Sequence, residues 1–254
     1  MGSKRYESPP IIEAICEFKF TREENTSWGS AFLDRLYGQL GGQEGEFSSK
    51  ESIKNFEVEV AAGPEGVTQR IEEREGERFS TPDGKLFVRV SPHVLAIHHL
   101  APYTSWGRFL PKIQRGYQAY CEVASPMALE RIGLRYINRV TLQRPARLEQ
   151  FFEIRPHVGK DLPQDFFSFI VGVQIGYDNG RDIMKLQLAN APAEADTLVV
   201  ILDLDYFLAA PAEIGIEEAV DWVDQIAHDR VEEVFEASIT QKLRQRLGEI
   251  KSDG

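Results

Sequence analysis

The sequence predicts an α+β protein built on a broad antiparallel sheet with helices packed on one face. Three observations lead there. Segments of apolar-polar alternation outnumber those of helical period, turn residues punctuate them at short intervals, and the order strand, helix, strands, helix is read twice along the 254 residues. That order suggests an internal duplication, with a first half over 1–126 and a second over 127–254 folded as one unit. Saddle-like and helix-grip folds share the arrangement and leave one sheet face open for ligands.

The first strand is predicted over 11–20, after Pro9-Pro10, with Ile12, Ala14, Cys16, Phe18 and Phe20 on one face and Glu13, Glu17 and Lys19 on the other. Thr26-Ser27 offers hydroxyl caps to a helix whose Trp28, Phe32, Leu36 and Leu40 recur at helical spacing before Gly41-Gly42. Strands follow over 56–61, 67–79, 86–90 and 94–100, separated by Gly63-Pro64, Pro82-Asp83-Gly84 and Ser91-Pro92. The run Glu72-Glu73-Arg74-Glu75-Gly76-Glu77-Arg78 reads as a solvated hairpin arm. A second helix, capped by Thr104-Ser105, carries Phe109, Ile113, Tyr117 and Tyr120 towards Pro126.

The second half opens with a strand over 129–142 and a short helix over 148–154, then strands over 166–177, 182–189 and 198–207. Asp178-Asn179-Gly180 is a hairpin turn of residues that tolerate positive φ. A single long helix is predicted over 216–247, its stripe formed by Ala219, Trp222, Val223, Ile226, Val234, Phe235, Ile239 and Leu243. The distal Phe235, Ile239 and Leu243 either overhang the sheet, which suggests a homodimer through this C-terminal helix, or lie along the other half of the same sheet.

Composition narrows the function. With 42% apolar residues the chain can fill a core, which excludes a disordered protein. Its net charge of -11 repels polyanions, so general nucleic-acid binding is not expected. No window is apolar and long enough for a membrane helix, and the start Met1-Gly2-Ser3-Lys4-Arg5-Tyr6 lacks the apolar stretch of a signal peptide. A cytoplasmic, reduced protein is expected. Cys16 and Cys121 alone cannot make a four-thiolate zinc site, and no CxxC, HExxH or Gly-x-Ser-x-Gly spacing occurs.

Two constellations carry the functional reading. Arg131, Arg135 and Arg139 share one strand face, where guanidinium groups could grip phosphates or carboxylates. If the first strands of the two halves pair, Glu13 and Glu17 could instead neutralise them in a cross-strand ladder. Asp203 and Asp205 share a face with Lys185 and Gln187 of the preceding strand and Gln174 of the one before; they could hold Mg²⁺ or form surface pairs with lysine. His98 and His99 point to opposite faces, and both read as packed or solvent-facing histidines.

Three segments carry a family resemblance: Pro9-Pro10-Ile11-Ile12-Glu13-Ala14 with Glu17-Phe18-Lys19-Phe20, then Gly133-Leu134-Arg135-Tyr136-Ile137-Asn138-Arg139, and His228-Asp229 with Phe235-Glu236-Ala237-Ser238-Ile239-Thr240. Together they resemble a family of uncharacterised bacterial proteins of similar length, sporadically distributed among genomes. The resemblance implies an accessory role of the defence or toxin-antitoxin kind, and it brings no catalytic residue with it.

The expectation is therefore a non-enzymatic binding protein, without cofactor or metal. Its polar sheet face, containing Glu13, Glu17, Arg131, Arg135, Arg139, Gln174, Lys185, Gln187, Asp203 and Asp205, meets a protein partner or a small anionic ligand. The alternative is a metal-dependent enzyme acting on a phosphorylated or nucleotide substrate, with Asp203 and Asp205 on the metal and Arg131 or Arg135 on phosphate.

Overall fold

A computed structural model describes residues 5–21, 28–42, 46–63, 66–159, 161–163 and 166–250, with the side chains of 55–74 left outside the description. The expected Thr26-Ser27 cap lies outside the described residues, as do the side chains of Glu72, Glu73 and Arg74. Farther along the charged arm Glu77 is buried and accepts from the Ser52 hydroxyl at 2.6 Å rather than facing solvent.

In chain order the elements begin with β1 (Arg5–Tyr6), β2 (Ile11–Thr21), α1 (Ser30–Gln39), β3 (Ser49–Gly63), β4 (Gly66–Ser80), β5 (Leu86–Ser91), β6 (Val94–Leu100) and α2 (Trp106–Ala124). They continue with β7 (Ala128–Gln143), β8 (Ile170–Tyr177), β9 (Asp182–Ala191), β10 (Thr197–Leu208), α3 (Ala219–Trp222), α4 (His228–Ser238), α5 (Gln241–Leu247) and β11 (Glu249–Ile250). Nine strands form one antiparallel sheet in the order β3-β4-β5-β6-β2-β7-β10-β9-β8, and β1 pairs with β11 apart from it. The protein is α+β, as the alternation predicts.

Each half winds alike: its first strand pairs with its last, β2 with β6 and β7 with β10, and the remaining strands step outward. β2 and β7 meet at the centre, Ile15 opposite Arg135 and Glu17 opposite Gly133. Alternation therefore sorts the whole sheet into two faces. Ala14, Cys16, Phe18 and Phe20 of β2, Ile132 and Leu134 of β7, and Leu202, Leu204 and Tyr206 of β10 are buried on the helix-covered face. Phe20 stacks on Tyr120 of α2 at 4.7 Å, Phe18 meets Tyr117 at 4.5 Å, and Tyr206 stacks on Trp222 at 5.6 Å. Such aromatic contacts add to area burial in holding the helices down. Ile12, expected with the apolar set, is 36% exposed near the start of β2, where the register with β7 shifts between Ile11 and Glu13.

Three local expectations are corrected. Ser105 occupies the N-cap of α2 without a side-chain cap bond. The short helix after β7 is only one 3₁₀ turn, Leu148–Gln150. The long terminal helix is interrupted twice. A π-helical turn, Val223–Ala227, separates α3 from α4, and Ile239 is extended, bridging antiparallel to Phe152. The break is bonded into place: Glu153 N–H donates to Ser238 O, Thr240 N–H to Phe151 O, and the Thr240 hydroxyl accepts from Leu243 N–H to start α5. Leu243 and Ile239 are consequently buried, and Tyr6 of β1 packs edge-on against Phe235 at 6.0 Å. The apolar overhang that suggested a homodimer through this helix is folded into its own protomer.

The Asp178-Asn179-Gly180 turn between β8 and β9 takes positive φ at all three residues, 47, 58 and 89°, which only such residues adopt readily. Among the described residues no helix is long and apolar enough to cross a membrane.

Candidate functional site

The site builds on the sheet face opposite the helices. Antiparallel register lines up Ile15, Arg135, Asp205, Lys185 and Gln174 in one row across β2, β7, β10, β9 and β8. Glu13, Ile137, Asp203, Gln187 and Gly172 form the row beside it. All ten residues expected on this face therefore share it, since Arg131 and Arg139 keep parity with Arg135 on β7 and Glu17 with Glu13 on β2.

The contacts run diagonally rather than along the rows. Arg131 reaches along its own strand, Nη1 donating to Glu17 Oε1 at 2.9 Å and Nη2 to both Asp205 oxygens at 2.9 Å. Gly133 makes this possible, because a Cβ there would stand 2.5 Å from Arg131 Nη1. The same guanidinium lies 4.8 Å from the Phe207 ring centre. Arg135 forks onto Asp203, Nε to Oδ1 at 2.8 Å and Nη2 to Oδ2 at 2.5 Å. These charge-assisted bonds are the strong kind.

Glu13 does not pair with an arginine, as the ladder reading supposed. It accepts from His98 Nδ1 at 2.8 Å. That bond, more than the nearby Arg135 and Arg89, holds the Glu13 carboxyl below its ordinary value. Burial lowers His98, keeping it neutral near pH 7. Its ring stacks on Phe87 at 4.3 Å, and Arg78 covers Phe87 with its guanidinium carbon 4.0 Å from the ring centre. Arg89 stands 3.6 Å from Glu17, so the ladder runs on from β10 through β7 and β2 to β5. His98, Arg89 and Phe87 were not foreseen on this face; the alternation of β5 and β6 is the signal that places them there.

The lysine pairing expected for the aspartates does not form. Lys185 lies directly opposite Asp205, yet both Asp205 oxygens accept from Arg131. Burial pushes the Asp205 carboxyl up, against the pull of Arg131 and Arg135. The metal alternative meets the same fact: among the described residues no three His, Cys, Asp or Glu side chains gather as a metal cluster, and each aspartate is engaged by a guanidinium. Around this neutralised centre Arg139, Gln174 and Lys185 are exposed and make no side-chain bond or ion pair among the described residues, while Gln187 is half-buried.

A second polar group sits under the helices. Trp106 stacks on His228 at 4.1 Å and donates its indole N–H to Asp224 at 2.7 Å, and the Tyr103 and Tyr136 hydroxyls meet at 3.1 Å. Burial brings His228 down to about 4, against the pull of Asp229 and Asp224. The group brings together Tyr136 and His228 from two separate sequence motifs, with His228 itself buried and its Nε2 3.3 Å from Glu232 Oε1. No protein-family model and no curated protein matches this chain.

Proposed function

We propose that the chain is a non-enzymatic binding protein whose open sheet face recognises a protein partner through acidic groups on that partner. What supports this reading is the division of labour on the face. The central charges Glu17, Arg131, Arg135, Asp203 and Asp205 are spent on one another. The exposed Arg139, Lys185 and Gln174 offer donors with no acceptor among the described residues. A pre-ordered ladder gives a rigid floor, and the outer cations supply steering and register. A metal-dependent enzyme on the same face would have to take Asp203 and Asp205 from their arginines before they could ligate, which costs the bonds just described.

Charge removal separates the floor from the donors. Arg139→Glu combined with Lys185→Gln removes both outer cations without setting a carboxylate opposite Asp205, so the ladder stays intact and the variant keeps the wild-type melting temperature. A partner captured by the wild-type protein from its host should be lost by the variant, read as at least a tenfold weaker affinity for the purified partner. Equal binding by both proteins would end the proposal.

A further inference from the structure

The sheet has two edges, and β8 is the one whose side chains are described throughout. Natural proteins blunt an exposed edge with charges, proline, a bulge or a covering segment. The β8 sequence, Ile-Val-Gly-Val-Gln-Ile-Gly-Tyr, has neither charge nor proline, and its pairing with β9 is regular from Ile170 to Tyr177. Among the described residues nothing hydrogen-bonds its outer edge. In a chain carrying -11 overall, an uncharged strand eight residues long is an unusual surface to leave open.

Its faces are equally unfinished. Val173 stands opposite the buried Leu186 and Ile175 opposite the buried Met184, which places both on the helix-covered side. The helical layer stops short of them, leaving Val173 45% and Ile175 38% exposed. Ile170 is 69% exposed at the start of the strand, and Phe167 just before it is fully exposed. An apolar strip therefore follows the edge, as at an interface.

We propose that β8 is a homodimerisation edge, pairing antiparallel with β8 of a second copy about a two-fold axis and continuing the sheet from one protomer into the next. The second copy is the occupant that fits because the strand is complementary to itself. Antiparallel partners must present side chains to the same face, so the axis passes through a residue rather than between two. Centred on Val173, it sets Val173 against Val173 and Val171 against Ile175 on the helix side, with Gly172 against Gln174 on the open side. Moving the centre to Gln174 sets Val173 against Ile175 and Gly172 against Gly176, again without a charge or an apolar-polar mismatch. An isologous contact of this kind closes at two copies. It would place two polar faces side by side on one sheet, and it does not depend on what those faces bind.

Sedimentation of the full chain at about 100 μM tests the pairing, a concentration well above the micromolar affinities of modest interfaces. The wild type should sediment at twice the mass of one chain. Val173→Lys puts a charge on the outer half of the edge and should raise the dimer dissociation constant at least tenfold while circular dichroism stays unchanged. If Val173→Lys fails to fold, Gln174→Lys, on the exposed open side, is read in the same way. A wild type that remains monomeric, or a dimer indifferent to the folded lysine variant, overturns the proposal. A dimer broken by Phe235→Glu instead would move the interface to the C-terminal helices and overturn it equally.

Discussion

Replacing Arg131 with methionine tests whether the ladder is a structural member of the sheet. The substitution keeps most of the side-chain bulk and removes the guanidinium that holds Glu17 and Asp205. Glu17 retains Arg89 at 3.6 Å, whereas Asp205 loses both of its hydrogen bonds. The cost lies between two limits: stripping one partner from a buried pair costs about 3 to 5 kcal/mol, and an exposed pair is worth about 1 kcal/mol or less. With side chains 23% and 19% exposed, Arg131 and Asp205 fall between, at about 2 kcal/mol. For a chain of this size that lowers the melting temperature by roughly 4 to 8 °C.

The pH dependence makes the test specific. Burial already raises the Asp205 carboxyl while Arg131 lowers it, so removing Arg131 raises it further. The variant's Asp205 then takes up a proton at a higher pH than the wild type's, and its buried charge disappears. The deficit should therefore be largest near neutrality and shrink as the pH falls into the acid range. Gly133→Ala should give part of the same loss, because its Cβ displaces the Arg131 guanidinium. The assay is a thermal melt of each variant across that range. A Arg131→Met protein melting within about 1 °C of wild type, or one whose deficit does not change with pH, would refute the assignment.

Two other outcomes are expected. His228 has its folded value lowered from 6.5 to about 4, so the unfolded chain takes up the proton first and acid favours unfolding. The stability from its neutral form is present above about pH 6.5 and lost as pH falls towards about 4, amounting to as much as about 3 kcal/mol. His228→Phe keeps the stack on Trp106 and should flatten the acid limb of the melting curve; a limb as steep as wild type contradicts the assignment. Titration calorimetry with Mg²⁺ and Mn²⁺ should give no micromolar binding, because Arg131 and Arg135 hold the aspartates. Micromolar heat abolished by Asp203→Asn would instead favour the enzyme.

Much of the fold could be read from local pattern. Period-two alternation in β2, β7 and β10 specifies which side chains share a face whatever the neighbouring strands are, because the pleat alone dictates it. All ten candidate residues fall on one face for that reason. Turn chemistry at Asp178-Asn179-Gly180 is equally local, since the need for positive φ is met by those three residues themselves.

Partner choice and helix continuity were decided elsewhere. Asp205 lies opposite Lys185, the pairing that sequence order suggests, but Arg131 reaches it from four residues along β7, past Gly133, which leaves the path open. Which guanidinium wins depends on the β7-β10 register, a relation between segments about 70 residues apart. Glu13 likewise finds His98 through β2-β6 pairing rather than an arginine. The terminal stripe has helical period through Leu243, yet Ile239 leaves the helix to bridge Phe152, and only the packed chain brings Phe152 there. Backbone hydrogen bonds and burial gained across distant segments outweigh the few tenths of a kcal/mol by which a β-branched residue prefers one local conformation over another. Alternation determined the faces of the sheet; register and long-range packing determined what each charge on them touches.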